Sequence, residues 1–189
     1  YHTISDKSFT QLDSLTTKNI YNFPFWVNSK LWFNIPDSIS LKKKYKIPQN
    51  KYILGSFQRD TEGKDQISPK LSKGPDRFIE IAKKLRKNND IFVLLAGYRR
   101  QYIISFLEKY NISYAYHEKA SFEELNELYN CLDLYIVSSR IEGGPQAIFE
   151  CALSRTPIIS TDVGIAKKIL AAESIFDMGT YEKARPNIE

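Results

Sequence analysis

Residues 134–152 read Leu-Tyr-Ile-Val-Ser-Ser-Arg-Ile-Glu-Gly-Gly-Pro-Gln-Ala-Ile-Phe-Glu-Cys-Ala, and the fold is decided here. Leu134 to Val137 is a short, wholly apolar run, the pattern of a strand covered on both faces. Gly143-Gly144-Pro145 then opens a helix, because proline is favoured at the first helical position, where its missing N–H has no partner to lose. The glycines permit a tight turn and a close approach of backbone to a bound group. A helix that begins at the carboxyl end of a parallel strand presents free N–H groups and partial positive charge, which suits an anion. Glu142 stands just before this helix and Glu150 is expected two turns into it, roughly 12 Å along at 1.5 Å per residue.

Working outward, the same alternation continues on both sides. Tyr52 to Phe57, Ile91 to Ala96, Ser113 to Tyr116 and Pro157 to Ser160 read as strands. Between them Phe78, Ile81, Ala82 and Leu85, then Tyr102, Ile103, Phe106, Leu107 and Tyr110, recur at helical spacing. Ser121 followed by Glu124 is a capping-box signature for another helix, with Leu125, Leu128 and Tyr129 on its inner face. Strands alternating with helices predict an α/β domain, a Rossmann-like doubly wound parallel sheet whose ligands gather at the carboxyl ends of the strands.

The ends are less regular. His2 to Ser5 can end a strand, and Phe9, Leu12 and Leu15 give a short helical face. Ile20 to Val27 reads as an extended connector. Trp26, Leu31, Trp32, Phe33 and Ile35 crowd an irregular stretch that must pack on its own domain or on another. Ser40 to Tyr45 suggests a short basic helix. Arg59 to Gly74 is too long for an ordinary turn between strand and helix, and loops of that length are usually functional or mobile. Ser174 to Phe176 is a candidate last strand and residues 181–189 a truncated element.

At 189 residues, with 42% hydrophobic and 13% aromatic, the chain is about one domain and can bury a full core. A net charge of +5 fits phosphate-bearing ligands or an anionic membrane surface and does not require a nucleic-acid partner. Cys131 and Cys151 are too few for a disulfide scaffold; both are read as small core residues within helices, in a reducing compartment. His2 and His117 form no zinc spacing, and no metal is expected. There is no signal peptide and no apolar stretch of membrane-spanning length. Because the chain begins at Tyr1, it is expected to be part of a longer protein.

The chemistry-bearing residues converge on one edge. Arg59 follows the first core strand and Lys73 precedes the first helix, so both should face the rim that carries Gly143 and Gly144. Positioned cations and helix N–H groups stabilise a leaving diphosphate most in the transition state. Lys64 and Lys70, in the same loop, read better as solvated. Glu150 lies among apolar neighbours, where a buried acid needs partners. Vicinal ribose hydroxyls would be suitable donors, each such bond contributing about 1.5–3 kcal/mol. The span from Glu142 to Glu150 suits an extended nucleotide sugar, with the phosphates between the acids.

Ser139 to Pro145, continuing to Glu150-Cys151-Ala152, resembles the "glutamate, seven residues, glutamate" motif of retaining GT-B glycosyltransferases, most of all the group-1 (family four) class. Gly55 to Arg59, Lys73-Gly74, Ser121 to Asp133 and Thr156 to Ser160 resemble further family segments in the same order, and Phe23 to Phe33 is similar to the crossover into the second domain. The resemblance implies that residues 1–20 are the remnant of an amino-terminal acceptor domain, 21–51 the interdomain crossover, 52–172 the nucleotide-sugar-binding domain and 173–189 a truncated carboxyl segment. It implies that Arg59 and Lys73 hold the diphosphate and Glu142 meets the donor sugar. Glu150 would hold the ribose, and Gly143, Gly144 and Pro145 complete the phosphate cradle. His117 would lie near the nucleobase. The reaction implied is front-face displacement with retention in glycan or polysaccharide synthesis, in the cytoplasm or on the inner membrane face. No cofactor is needed beyond the nucleotide-diphosphate sugar, and the chain would be inactive without its amino-terminal domain. Two features depart from the family: the Arg59–Lys73 interval is long, and Val163-Gly164 is followed by Ile165-Ala166-Lys167 rather than by an acid.

Two other readings use the same residues differently. One is a non-catalytic Rossmann-like module for a phosphorylated ligand or nucleic acid, which would need the lysines but not the two glutamates. The other is a sugar-nucleotide epimerase with catalytic acids of its own.

Overall fold

The computed structural model describes residues 1–186; the last part of the element expected over 181–189 lies outside the described residues. The chain opens with β1 (His2–Thr3), α1 (Asp6–Asp13) and β2 (Tyr21–Asn22), a small unit with its two strands parallel. Ser5 caps α1 by accepting from the Ser8 amide at 3.3 Å. The short helix α2 (Ser38–Lys44) is capped in the same way by Asp37, which accepts from Ser40 N at 3.0 Å.

The main body alternates strand and helix as the periodicity predicts: β3 (Tyr52–Ser56), α3 (Pro75–Leu85), β4 (Ile91–Ala96), α4 (Gln101–Lys109), β5 (Tyr114–His117), α5 (Phe122–Tyr129), β6 (Leu134–Val137), α6 (Ala147–Ser154), β7 (Ile158–Thr161), α7 (Ala166–Ile169) and β8 (Ile175–Phe176). The strands form one parallel six-stranded sheet in the order β5-β4-β3-β6-β7-β8. Its order reverses between β3 and β6, and doubly wound sheets open a ligand crevice at such a reversal. Adjacent strand residues point to opposite faces: Ile53, Leu94 and Tyr135 join Leu128, Tyr129 and Ile148 on one side. Leu54, Val93 and Ile136 join Phe78, Ile81 and Ile103 on the other. Both faces are covered, which is why β4 and β6 are apolar throughout.

The crowded aromatic stretch divides. Trp32 is 3% exposed and edge-on to Tyr129. The backbone beside it is pinned to α5, with Phe33 N donating to Asn126 Oδ1 at 3.1 Å and Ile35 N to Asn130 Oδ1 at 2.7 Å. Trp26, in contrast, is 85% exposed. An ion pair from Lys168 on α7 to Asp6 on α1, 2.6 Å, links the amino-terminal unit to the main body.

Three local expectations are corrected. Helix α6 begins at Ala147, so Pro145 precedes it; the entry is a tighter turn in which Ile148 N donates to Pro145 O at 3.1 Å and Phe149 N to Gln146 O at 3.0 Å. Glu150 is consequently in the first turn of the helix and not two turns in. Cys131 lies in the turn after α5, not within a helix, although it is buried as expected; Cys151 is in α6. Burial pushes the Cys131 thiol up to about 12.

The long Arg59–Gly74 segment is ordered by an ion pair that composition does not announce. Arg100 is 0% exposed and its Nε donates to Asp60 Oδ2 at 3.0 Å. Its remaining donors reach Ala96 O (2.8 Å), Ser56 Oγ (3.0 Å) and Ser56 O. Asp60 also receives the amides of Tyr102 and Ile103 at the start of α4, and its carbonyl accepts from Lys70 N at 2.8 Å. Thr61 and Pro69 form a β-bridge and Leu71–Lys73 a 3-10 turn. Among the described residues no helix is long and apolar enough to cross a membrane. Removing one partner of a buried pair strands the other charge, at about 3–5 kcal/mol. Arg100→Leu should therefore lower the free energy of urea unfolding by about that amount, and a loss within the range of ordinary surface substitutions would contradict this account of the loop.

Candidate functional site

The site begins with backbone, not side chains. Gly74 has φ 63°, and a Cβ there would lie 1.9 Å from Ser138 O. The loop after β3 and the loop after β6 thus touch main chain to main chain, a contact only glycine permits. Ser138 Oγ donates to Gly74 O at 2.8 Å, and the amides of Arg140 and Ile141 donate to Ser72 O at 2.8 and 3.2 Å. Arg140 then grips Asp76 at the start of α3 through two bonds, 2.7 and 2.6 Å. From the other flank Gly164 (φ 57°) presses on the loop: a Cβ there would be 2.5 Å from Gly143 O.

This lock brings Lys73 to Glu142. Their Nζ and Oε1 are 2.5 Å apart, with the two side chains 27% and 11% exposed, and Ser139 Oγ donates to the same oxygen at 2.8 Å. Next to them Gln58 donates through Nε2 to Lys73 O at 3.0 Å. Glu150 is 8% exposed, and its Oε2 accepts from the Tyr129 hydroxyl at 2.7 Å. Burial raises the Glu150 carboxyl above its ordinary 4.5, opposed by the tyrosine bond. Burial likewise drives the Tyr129 phenol well above its usual range.

Gln58, Lys73, Glu142, Glu150 and Tyr129 line one cleft of about 380 Å³ at the reversal between β3 and β6. Its lining includes Gln58, Lys73, Glu142, Gly144, Gln146 and Glu150 together with the aromatic rings of Phe25, Phe57, Tyr129 and Tyr135. The amides of Gly144, Gln146 and Ala147 meet no acceptor among the described residues. The arrangement can hold an anion against Lys73 and these amides and hydroxyl donors against the two carboxylates.

Of the residues singled out from sequence, Lys73, Glu142, Gly144, Pro145 and Glu150 share this lining, whereas Arg59, Gly143 and His117 do not. Arg59 Nε donates to Thr61 O at 2.6 Å, back along its own loop. Gly143 lies one residue outside the lining; a Cβ on it would be 3.1 Å from Ile4 Cδ1, and one on Gly144 3.2 Å from the same atom. His117, at the end of β5, pairs through Nδ1 with Glu124 Oε1 at 2.8 Å and abuts Tyr45 edge-on. Gln58, Phe25 and Gln146 escaped the sequence reading. Gln58 was legible in principle, as the polar residue nearest Arg59 at the carboxyl end of β3. Phe25 enters from the crossover and has no local signal. No group of His, Cys, Asp and Glu suited to a metal ion occurs among the described residues.

A doubly wound parallel sheet with an acid-lined, amide-rimmed cleft at its reversal defines a Rossmann-like ligand-binding domain. Within that class the chain belongs to the glycosyl transferases group 1, which match it over residues 39–184. Among solved structures it is similar to sucrose-phosphate synthase of Thermosynechococcus elongatus (TM-score 0.74, 17% identity, covering 97% of this chain and 47% of that one). It is similar to Anabaena HepE in complex with UDP and glucose (0.70, 16%, 91% and 46%). It is also similar to the C-terminal domain of the group 1 protein LpcC of Francisella tularensis (0.62, 21%, 78% and 76%). The chain thus spans about half the length of the first two. Among curated proteins nothing matches.

The raised Glu150 carboxyl has a thermodynamic sign. The folded chain holds that proton more tightly than the unfolded one, so the stability it confers is present below the ordinary value of 4.5 and is lost as pH rises through the raised value. Glu150→Gln carries no such term. Chemical denaturation from about pH 4.5 to about pH 8 should show the variant gaining on the wild type as pH rises; a constant difference would mean that Glu150 is not perturbed by burial.

Proposed function

We propose that this chain is the donor-binding half of a retaining glycosyltransferase that moves a sugar from a nucleotide-diphosphate sugar to a hydroxyl acceptor. The observation that carries the reading is that Lys73, Glu142 and Glu150 line one cleft whose rim is made of unpartnered amides. In this reading Lys73 and the amides of Gly143, Gly144 and the α6 entry receive the diphosphate. Glu142 accepts from the donor sugar's hydroxyls and Glu150 from the vicinal hydroxyls of the ribose. Negative charge builds on the leaving diphosphate as the anomeric bond breaks, and fixed donors stabilise that charge most at the transition state. A leaving phosphate oxygen on the same face takes the acceptor's proton, so this domain supplies no nucleophile. Arg59 joins the diphosphate only by releasing the Thr61 carbonyl, and His117 serves the nucleobase from the end of β5.

The acceptor site belongs to a first domain, of which residues 1–20 are the end and 21–51 the crossover. That the chain covers about half of the solved relatives supports this division, as does the small parallel unit made by β1, α1 and β2. A location in the cytoplasm or against the inner membrane face is part of the same reading. The HepE complex with UDP and glucose supports a nucleotide-sugar ligand.

Calorimetry with UDP-, GDP- and ADP-sugars should find binding by at least one and no transfer by this chain alone. Lys73→Ala and Glu150→Gln should each weaken that binding by about tenfold or more, the equivalent of one hydrogen bond to a charged group. Failure of every nucleotide sugar to bind a folded chain would remove the reading. Salt-steep RNA or DNA binding indifferent to Glu150→Gln would replace it with a non-catalytic module.

A further inference from the structure

Glu150 is held from both sides in a way that simple burial does not require. The Tyr129 ring that meets it is wedged against Phe57 (4.7 Å between centroids), Tyr135 (5.3 Å) and Trp32 (5.7 Å). The phenol therefore cannot follow the carboxylate if it moves. The helices that carry the two residues are tied as well. Thr156 Oγ1, just past α6, donates to the Tyr129 carbonyl at 2.9 Å and accepts from Ser154 Oγ on α6 at 2.7 Å. Side chain and main chain thus fix α5 against α6 at one point. The hydroxyl engages Oε2 alone; Oε1 accepts nothing among the described residues, while Glu150 lines the cleft.

We propose that Tyr129 is a positioning residue: it immobilises one oxygen of Glu150 so that the other is presented, ionised and correctly turned, to the vicinal hydroxyls of a bound ribose. The proposal rests on the nucleotide-sugar reading of the cleft. Without the phenol, a carboxylate in this apolar wall has two equivalent oxygens, no anchor and a stronger tendency to protonate, all of which weaken it as a paired acceptor. The aromatic cluster would remain, because phenylalanine fills nearly the same space.

The test pairs a protein change with a ligand change. Dissociation constants are measured by calorimetry on the full chain for UDP, GDP and ADP and for their 2′,3′-dideoxy counterparts, using wild type, Tyr129→Phe, Glu150→Gln and the double variant. The wild type should prefer the ribose over the dideoxyribose form of at least one nucleotide. Tyr129→Phe should weaken that ribose form by roughly three- to tenfold, leave the dideoxy form unchanged, and add nothing in the Glu150→Gln background. Equal losses for both sugar forms would reduce Tyr129 to a packing residue and overturn the inference, leaving the cleft's function intact. Absence of binding by every nucleotide to the folded wild type would overturn both. If Tyr129→Phe does not fold, 3-fluorotyrosine at position 129, a stronger donor of similar volume, should shift the ribose constant alone; unchanged constants would again overturn the inference.

Discussion

No side chain fits between residue 74 and the carbonyl of Ser138, and the functional end of the molecule follows from that fact. Two loops that leave neighbouring strands of a twisted sheet would normally splay apart. Here they are in main-chain contact, with Ser72, Gly74, Ser138, Arg140 and Ile141 exchanging hydrogen bonds across the gap. Lys73 is carried on one loop and Glu142 on the other, so their ion pair is a result of the backbone contact, not its cause. Ion pairs near a surface contribute little unless their geometry is fixed, on the order of 0–1 kcal/mol. The lock is what makes this one reproducible in space.

Gly164 extends the same logic to a third strand. By leaning on the Gly143 carbonyl it prevents the glycine-rich turn from relaxing away from the sheet. The loop that leads into α6 is therefore clamped between the loops after β3 and β7, which fixes where the helix's first amides, unpartnered as at any helix start, are placed. The cleft's lining thus combines clamped polar loops with four aromatic rings, of which Tyr129 and Tyr135 are buried. Behind it, the buried Arg100–Asp60 pair fixes the base of the long segment from which Lys73 is presented.

Much of this was written in local pattern. The apolar runs of β3, β4 and β6 and the spacing of α3 to α5 are decided by burial on both faces, and they sit where periodicity places them. Lys73 and Glu142 were legible because each stands just before a helix at the carboxyl edge of the sheet, and Glu150 because a charge inside an apolar helix is costly without a partner. What escaped depends on distant partners. Arg59 and Arg100 are indistinguishable as letters, yet one curls back on its own loop and the other is the buried anchor. Tyr129 reads as one more apolar residue on an inner face, and only the fold reveals the carboxylate at its hydroxyl, 21 positions away. The start of α6 was displaced because proline at a helix entry tolerates a tight turn as readily as a first helical position.

The placement of Ile4 has a mechanical consequence. Its terminal methyl lies against both residues of the glycine pair, and Asp6 nearby is tethered to Lys168 on the opposite flank. Any swing of the amino-terminal unit away from the sheet must lift that methyl from the turn and stretch the tether in one stroke. The docking of this short unit and the apolar cover over the glycine turn are thereby coupled.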